Sequence, residues 1–457
     1  MQKAILSGLL ALFTLGCSEI GLTKADEDYT NGYLALAAGL AGANPPCQGV
    51  RILSGTISGS QVTGTCLLLT GAVFIPSGVT LTIPAGAQVY ADTAATLFVL
   101  KGGKLVANGS STQPVVFTSA QPVGTRATGD WGGIVMIGKA PTNQPAKQTE
   151  GAFPQNYGGP SSNEPGDSSG SLSYVRIEYA GFPIAANQEL NCLSLYAVGS
   201  GTNLDHVQCH MGGDDSFEFF GGTVNAKFLL STGSSDDDFD IDEGYNGKLQ
   251  FLIGIRYQTT VGRGSTDPRG IEFNGLCNAP CTLSGGATTA LSNVKLANFT
   301  LIGPGPTPYP SGAPTATFGR VRVQMQGSIT HGSGEMYGST GANGAIQCQD
   351  TGTSVSLQNF YADGSSTASA GTCTTFALAG TPYGATATIA SMVSPPNVSG
   401  PTSESGIDLQ PSGTVPTVGS LSSVSGFNDS FFQDNTTPFG MISGQNWTSG
   451  WTRFSIN

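Results

Sequence analysis

The sequence predicts an all-β protein folded as a right-handed parallel β-helix, a solenoid, with a short helix capping its N-terminal end. Composition is the first reason: only 11% of the 457 residues are charged and 66 are glycine, which is typical of strands and turns. The second reason is that short apolar strands recur every 18 to 23 residues, the spacing of one coil of such a helix. The third is an acidic segment, Asp214–Phe219, that returns 22 residues later as Asp236–Ile241. A β-sandwich, the structural alternative, does not keep sequence similarity at a fixed period.

Residues 1–16 predict a lipoprotein signal peptide. A positive charge at Lys3 precedes the apolar run Ala4–Leu15, which is too short to span a bilayer and is typical of a secretory signal. The pair Gly16-Cys17 then marks cleavage before Cys17, whose thiol would carry the lipid. A simple secretory signal cut after a small residue is the alternative. We therefore expect an outer-membrane lipoprotein, held at the cell surface by its lipid anchor.

Residues 17–49 predict a lipidated tether that includes the cap. Within this tether, Tyr33–Ala41 has the composition of a short helix. A solenoid needs a cap because its first coil otherwise exposes a strand edge and the core. Residues 50–457 are predicted to form the β-helix, with irregular coils at about 300–425, where proline, serine, threonine and glycine are frequent.

The first coils are predicted from apolar residues that lie two apart. Val79–Leu81, Leu97–Val99 and Val115–Phe117 each place two apolar side chains inside and the middle residue outside, because successive side chains in a strand point to opposite faces. These segments are 18 residues apart. The next step of 18 leads to Gly133–Val135 and is expected to place Val135 in the core.

The central repeat predicts further coils and a projecting loop. Phe217, Phe239 and Ile271 occupy the same position in successive copies, and Leu193 marks the coil before them. The third copy follows the second after 32 residues, so this coil carries an insertion. We expect that insertion to be a projecting loop at residues 259–269.

Nine cysteines support export to an oxidising compartment. Without Cys17 an even number remains, which favours up to four disulfides. Sequence neighbours are the first choice of partners, beginning with Cys277 and Cys281, and a zinc site at that pair lacks a second pair of ligands nearby. The predicted disulfide cysteines are Cys47, Cys66, Cys192, Cys209, Cys277, Cys281, Cys348 and Cys373.

Several long strings stand out in order along the chain. They are Gly129–Val135, Gly138-Lys-Ala-Pro141, Leu172–Gly181, Gly199–Val207, Gly213–Val224, Asp236–Tyr245 and Asn446–Thr452. Together they resemble a large family of exported bacterial β-helix surface proteins and lipoproteins, over roughly residues 70–280 and the final thirty residues. The resemblance implies a cell-surface or secreted right-handed β-helix, and it implies no catalytic residues because the activity of the family is largely unassigned.

Carboxylates of the central repeat form the candidate site. Parallel coils stack about 4.8 Å apart, so Glu218, Asp240 and Glu272 are predicted to form a column of like charges. Two carboxylates about 5 Å apart repel by roughly 3 kcal/mol at an effective dielectric of 20, which calls for an offset. We expect calcium, which takes six to eight oxygen ligands. The predicted metal ligands are Asp214, Asp215, Glu218, Asp236, Asp237, Asp238, Asp240, Asp242 and Glu272.

Two other interpretations of these acids stay open. One is a solvated acidic face, neutralised by basic side chains from Lys227, Lys248, Arg256 or Arg269. The other is catalysis, in which two carboxyls of the patch hydrolyse or cleave a polysaccharide. The polygalacturonase signatures Asn-Thr-Asp and Arg-Ile-Lys do not occur in the sequence, which weighs against one familiar version of this reading.

The functional expectation is a rigid binding or adhesion β-helix at the cell surface, stabilised by calcium. Its ligand would be a glycan or an extracellular-matrix component, with specificity from the loop at 259–269. A net charge of −12 makes nucleic acid a poor partner. A polysaccharide lyase or hydrolase is the alternative. His206 and His210 are expected to be surface and turn residues rather than metal ligands.

Overall fold

The computed structural model describes residues 47, 49–158, 163–185, 188–257, 260, 268–276, 291–304, 318–335, 346–350, 352–362, 370–371, 377–379, 393–394, 407–411, 417–442 and 444–456. The predicted signal peptide, the lipidation site Cys17 and the helical cap lie outside these residues, as do Cys277, Cys281 and Cys373. None of the described helices is long and apolar enough to cross a membrane. Val50–Asn457 form one compact unit.

The described regular structure is almost entirely β. The N-terminal strands are β1 (Arg51–Thr56), β2 (Gln61–Val62), β3 (Cys66–Ile75), β4 (Thr80–Ile83), β5 (Gln88–Ala91), β6 (Thr96–Val99), β7 (Lys104–Asn108), β8 (Val115–Ser119) and β9 (Gly133–Ile137). The central strands are β10 (Gly170–Glu178), β11 (Pro183–Ala185), β12 (Gln188–Glu189), β13 (Leu193–Tyr196), β14 (Asn203–His210), β15 (Phe217–Phe220), β16 (Asn225–Thr232), β17 (Phe239–Asp242), β18 (Lys248–Ile255) and β19 (Ile271–Asn274). The C-terminal strands are β20 (Asn293–Ile302), β21 (Gly319–Arg322), β22 (Gln326–Glu335), β23 (Ile346–Cys348), β24 (Ser354–Ala362), β25 (Ala370–Gly371), β26 (Ala377–Ala379), β27 (Val393–Ser394) and β28 (Asp408–Pro411), followed by a short 3-10 helix at Leu421–Ser423.

Parallel pairing of 24 strands builds the β-helix, and the strands lie on three faces. Face 1 contains β6, β9, β13, β15, β17, β19, β21 and β23, each paired in parallel with the next. Face 2 contains β4, β7 and the first halves of the long strands from β10 to β24. Face 3 contains β5, β8 and the second halves of those long strands. The prediction of an all-β parallel β-helix is therefore confirmed.

A bend inside each long strand separates face 2 from face 3. At this point one residue per coil takes a positive φ, for example 50° at Tyr174, 55° at His206 and 57° at Phe228. These three rings stack along the axis, with centroids 4.3 Å apart at each step. His206 is thus part of an aromatic stack, and His210 is fully buried. The expectation of a surface or turn residue is therefore wrong for His210, whereas His206 lies at the bend and is partly exposed.

The strand pairing confirms the predicted repeat of the central coils but not the predicted 18-residue repeat of the N-terminal coils. Phe217 pairs with Phe239, and Phe239 with Ile271, at the same inward position. The 18-residue step at the N-terminal end does not join successive coils, because Leu81 pairs with Leu105 instead. Each coil has three faces with an apolar pair on each, so the step of 18 runs from one face to another. Val135 lies at an outward position, and its neighbours Ile134 and Met136 fill the core.

Two segments lie across the outside of the coils. Residues 139–158, hereafter the covering segment, cross face 1: the backbone N–H of Asn143 donates to the Glu243 carbonyl at 2.9 Å. The Asn143 amide donates to the Gly275 carbonyl of the next coil, also at 2.9 Å. The C-terminal residues 446–456 cross the bend and face 3, where Trp451 packs edge-on against Tyr174. Both segments bury side chains that would otherwise face solvent.

Disulfides are confirmed as a feature of the chain. Cys192 and Cys209 form one, with Cα atoms 6.1 Å apart, and both lie in the core. They are sequence neighbours, the pairing expected first. Cys47, Cys66 and Cys348 are also disulfide-bonded.

Candidate cation site

The predicted acidic column is present on face 1. Glu218 of β15 pairs with Asp240 of β17, which pairs with Glu272 of β19, so the three carboxylates occupy one position in successive coils. Their side chains point away from the core because the flanking residues fill it. The alternative interpretation as a solvated face does not hold for these three residues, which are only 9%, 8% and 4% exposed. The column is a buried layer outside the apolar core.

Turns that precede the strands bring further acids to the column. The Asn191 side-chain oxygen accepts the N–H of Asp215 at 3.2 Å, and Asp215 accepts the N–H of Asp237 at 2.7 Å. Asp237 in turn accepts the N–H of Arg269. Each of these side chains thus accepts a hydrogen bond from the backbone of the next coil. The same turn therefore recurs in successive coils, and its carboxylates stack along the axis.

Three groups of carboxylates result. In each group the candidate ligand oxygens all lie within 4.8 Å of one another. Two oxygens bound to one calcium ion at 2.3–2.6 Å lie no more than about 5 Å apart, so this spacing fits a shared ion. The donors are all carboxylates, which suits calcium better than zinc. The groups are Asp214, Asp215 and Asp236; Asp215, Glu218 and Asp240; and Asp237, Asp240 and Glu272.

Asp240 belongs to two of the groups and, within the described part of the chain, has a carboxylate oxygen without a partner. Its Oδ1 atom is buried without a hydrogen-bond partner among the described residues, and so is Oδ1 of Asp242. Burial, followed by the charges of Glu272 and Asp242, raises the pKa of Asp240 well above its usual range. Burial and the charge of Asp240 likewise raise the pKa of Glu218. This unpartnered oxygen is where a cation would be bound.

Arginines compensate the end of the column. Arg320 and Arg322, in the next coil of face 1, both donate to Glu272. Arg269 Nε lies 3.7 Å from the same carboxylate, and its residue is buried, so the end of the predicted projecting loop folds onto the site. The sequence reasoning missed Arg320 and Arg322, although the alternation Gly319-Arg-Val-Arg continues the column.

Asp238, also predicted as a metal ligand, lies apart from the column and has other partners. Its Oδ1 accepts a hydrogen bond from Ser231 at 2.6 Å, and its Oδ2 lies 3.6 Å from Arg256 Nη2, where both side chains are fully buried. Of the basic residues predicted to neutralise the acids, Arg256 and Arg269 do lie beside them. Lys248 instead pairs with Asp429 at 2.6 Å. The fourth, Lys227, sits over the ring of Phe431.

The covering segment contributes groups that the sequence reasoning did not find. Lys147 Nζ lies 2.6 Å from Glu243 Oε1, and the Tyr157 hydroxyl donates to the other oxygen of Glu243. Glu150 lies close enough for its charge to raise the pKa of Glu218 and Asp214. Burial, followed by the charge of Glu243, raises the pKa of Glu150 itself to about 7. The segment lies outside the repeat, so no periodic pattern pointed to it.

Comparison with known families matches residues 60–318 to the model of the pectate-lyase-like β-helix domain. Comparison with curated proteins and with solved structures finds no match. The matched region contains the whole of face 1 from β6 to β19, including the acidic column and the covering segment. The chain belongs to the family of pectate-lyase-like β-helix domains.

Proposed function

We propose that the protein is a surface-exposed binding module, a rigid β-helix whose central coils are held together by calcium. The observation that carries the proposal is Asp240, a buried carboxylate shared by two groups of acids, with one oxygen unpartnered among the described residues. An ion in either group would join two successive coils through Asp240, to Glu218 in one group and to Glu272 in the other. It would offset repulsion of about 3 kcal/mol for each pair of ionised neighbours.

Burial favours ion binding over catalysis at this site. A polysaccharide substrate must contact the catalytic acids directly, whereas the column residues are at most 9% exposed. Arg269 and Arg322 approach Glu272 and pair with its carboxylate, which leaves it less accessible to a substrate. Membership of a pectate-lyase-like family is compatible with action on polysaccharides as well as binding, so cleavage remains the second candidate.

The cellular setting completes the proposal. The signal at residues 1–16 and Cys17 support a lipoprotein anchored in the outer membrane and displayed on the cell. A glycan or an extracellular-matrix component would be the ligand of such a module. The net charge of −12 disfavours acidic partners such as nucleic acid.

Calorimetric titration of the purified protein with calcium, after treatment with a chelator, tests the cation site. We expect saturable binding, much weaker binding of magnesium, and loss of calcium binding in Asp240→Asn. Magnesium should bind less well because it demands a smaller, octahedral site. Glu164→Gln is the matched control, since Glu164 is more than half exposed and pairs with Lys139 away from the column.

Thermal melts supply the second readout. At a calcium concentration of about 100 times Kd, binding should add roughly 2.7 kcal/mol to the free energy of unfolding. No heat of binding together with unchanged melts would refute the calcium proposal. Release of oligosaccharides from a polysaccharide panel, abolished in Asp240→Asn and retained in Glu164→Gln, would instead establish the enzyme.

A further inference from the structure

A cavity of about 310 Å³ lies between the covering segment and face 1. Its floor is formed by Tyr196 and Phe220, which occupy paired positions in β13 and β15 and stack with ring centroids 4.0 Å apart. Lys147 and Gln148 of the covering segment are exposed and line the mouth. The cavity therefore opens to solvent on one side and ends on an aromatic surface.

Polar groups from both walls converge on this cavity. The Glu243 carboxylate, almost fully buried, accepts the Tyr157 hydroxyl and pairs with Lys147. Glu150 also lines the cavity, and its backbone N–H donates to the Tyr196 hydroxyl at 3.2 Å. Two carboxylates, an ammonium group and two phenolic hydroxyls are thus fixed around one space. Hydrogen bonds within the fold hold Glu243 and the two tyrosine hydroxyls, whereas Lys147 also reaches solvent.

The size and chemistry of the cavity indicate the class of ligand. A volume of about 310 Å³ is far larger than an ion needs and lies at the lower end for organic ligands, which suits a single ring. Aromatic rings on one side suit the C–H face of a sugar, and the carboxylates and ammonium suit its hydroxyls. Lys147 offsets the charge of Glu243, which favours a neutral ligand over a cationic one.

We propose that this cavity binds one neutral hexopyranose unit, the terminal residue of a glycan. The inference rests on the binding role proposed above and supplies its ligand, but it does not require the cation site. The covering segment provides Lys147, Glu150 and Tyr157, and the coils provide Tyr196, Phe220 and Glu243. Recognition of the sugar then depends on the docked position of the segment.

Saturation-transfer NMR with free sugars tests the proposal. The probes are glucose, galactose, mannose, N-acetylglucosamine and glucosamine, each at millimolar concentration, with the calcium-loaded protein. We expect transfer to at least one of the four neutral sugars. Affinity should fall at least tenfold in Lys147→Met and in Glu150→Gln and stay unchanged in Glu164→Gln. Lys147→Met leaves the buried Glu243 without its ammonium partner, so a melt checks that this variant is folded. Glu150→Gln keeps the pair of Lys147 and Glu243 and is the second variant.

Three results would overturn the proposal. They are no transfer to any sugar, transfer that both cavity variants retain in full, and transfer to glucosamine alone, which would identify an ammonium site. The cation proposal is tested separately, because its failure appears in calorimetry with calcium. Sugar binding that persists in Asp240→Asn would support the cavity even where calcium binding is lost.

Discussion

Asp238 and Asp240 lie two residues apart on β17 and its turn, yet the structure predicts opposite effects for the same substitution. In the absence of calcium, Asp240→Asn removes a buried charge from a group of acids within 4.8 Å of one another. One ionised neighbour at that distance contributes repulsion of about 3 kcal/mol at a dielectric of 20. Protonation of one partner relieves part of it, so we expect stabilisation by about 1–3 kcal/mol.

Asp238→Asn breaks a different interaction. It leaves the guanidinium of Arg256 buried beside a neutral amide, and both side chains of this pair are fully buried. Removing one partner of a buried ion pair costs about 3–5 kcal/mol. The same substitution should therefore destabilise the protein at 238 and stabilise the calcium-free protein at 240.

Chemical denaturation with a chelator, repeated with saturating calcium, measures both effects. With saturating calcium the wild type should become more stable than Asp240→Asn, because it gains binding energy that the variant cannot gain. At position 238 the calcium-induced gain should match that of the wild type. Destabilisation by Asp240→Asn in the chelator would show that Asp240 has a stabilising partner without any ion, and the reasoning would fail.

Two further predictions concern the packing around face 3. Burial alone would raise the pKa of Glu178, but nearby positive charges, first those of Arg176 and Arg453, lower it overall. The ionised carboxylate therefore stabilises the fold above about pH 4.3, and this stabilisation is lost as the pH falls through the pKa of the folded protein. Glu178→Gln should lower stability at pH 7 and flatten its decline below pH 4.3, as read from denaturation midpoints, whereas a parallel decline would contradict the assignment. Gly254→Ala would place a Cβ atom 2.7 Å from Asp238 Oδ2, so a loss of about 1–3 kcal/mol is expected in thermal melts, and an unchanged melt would show that the site yields freely.

The central coils could be predicted because their sequence repeats. Phe217 and Phe239 differ by 22 positions and pair directly, and this alone places Glu218 beside Asp240. Strand pairing in a parallel ladder determines which side chains lie next to each other, but it does not determine which other segment covers them. The burial of the column therefore could not be predicted, since the covering segment comes from far earlier in the chain and has no repeat.

Errors at the N-terminal coils have a related physical cause. A strand covered on both sides is apolar at successive positions, so alternation no longer shows which residues face the core. This is the case for β9, where Ile134 and Met136 face the core and Val135 packs in the layer outside it. Asp238 was misplaced for another reason: it lies just before β17, where the turn reverses its direction relative to Asp240.

The outward layer of face 1 is compensated differently along the β-helix, and this difference is why we propose a cation in its middle part. The same outward position in successive coils of face 1 is occupied first by Phe98 and Val135, which bury apolar surface. Further along it is occupied by Glu272, whose charge is compensated by Arg320 of the next coil. Burial is favourable at Phe98 and Val135 because these side chains are apolar. Burial of Glu272 is tolerated because its charge is paired. Asp240 lies between them, and its buried Oδ1 atom has no hydrogen-bond partner among the described residues. A divalent ion at this point would make the whole layer electrostatically consistent, and so the burial of the acids, rather than their number, is the stronger argument for a cation.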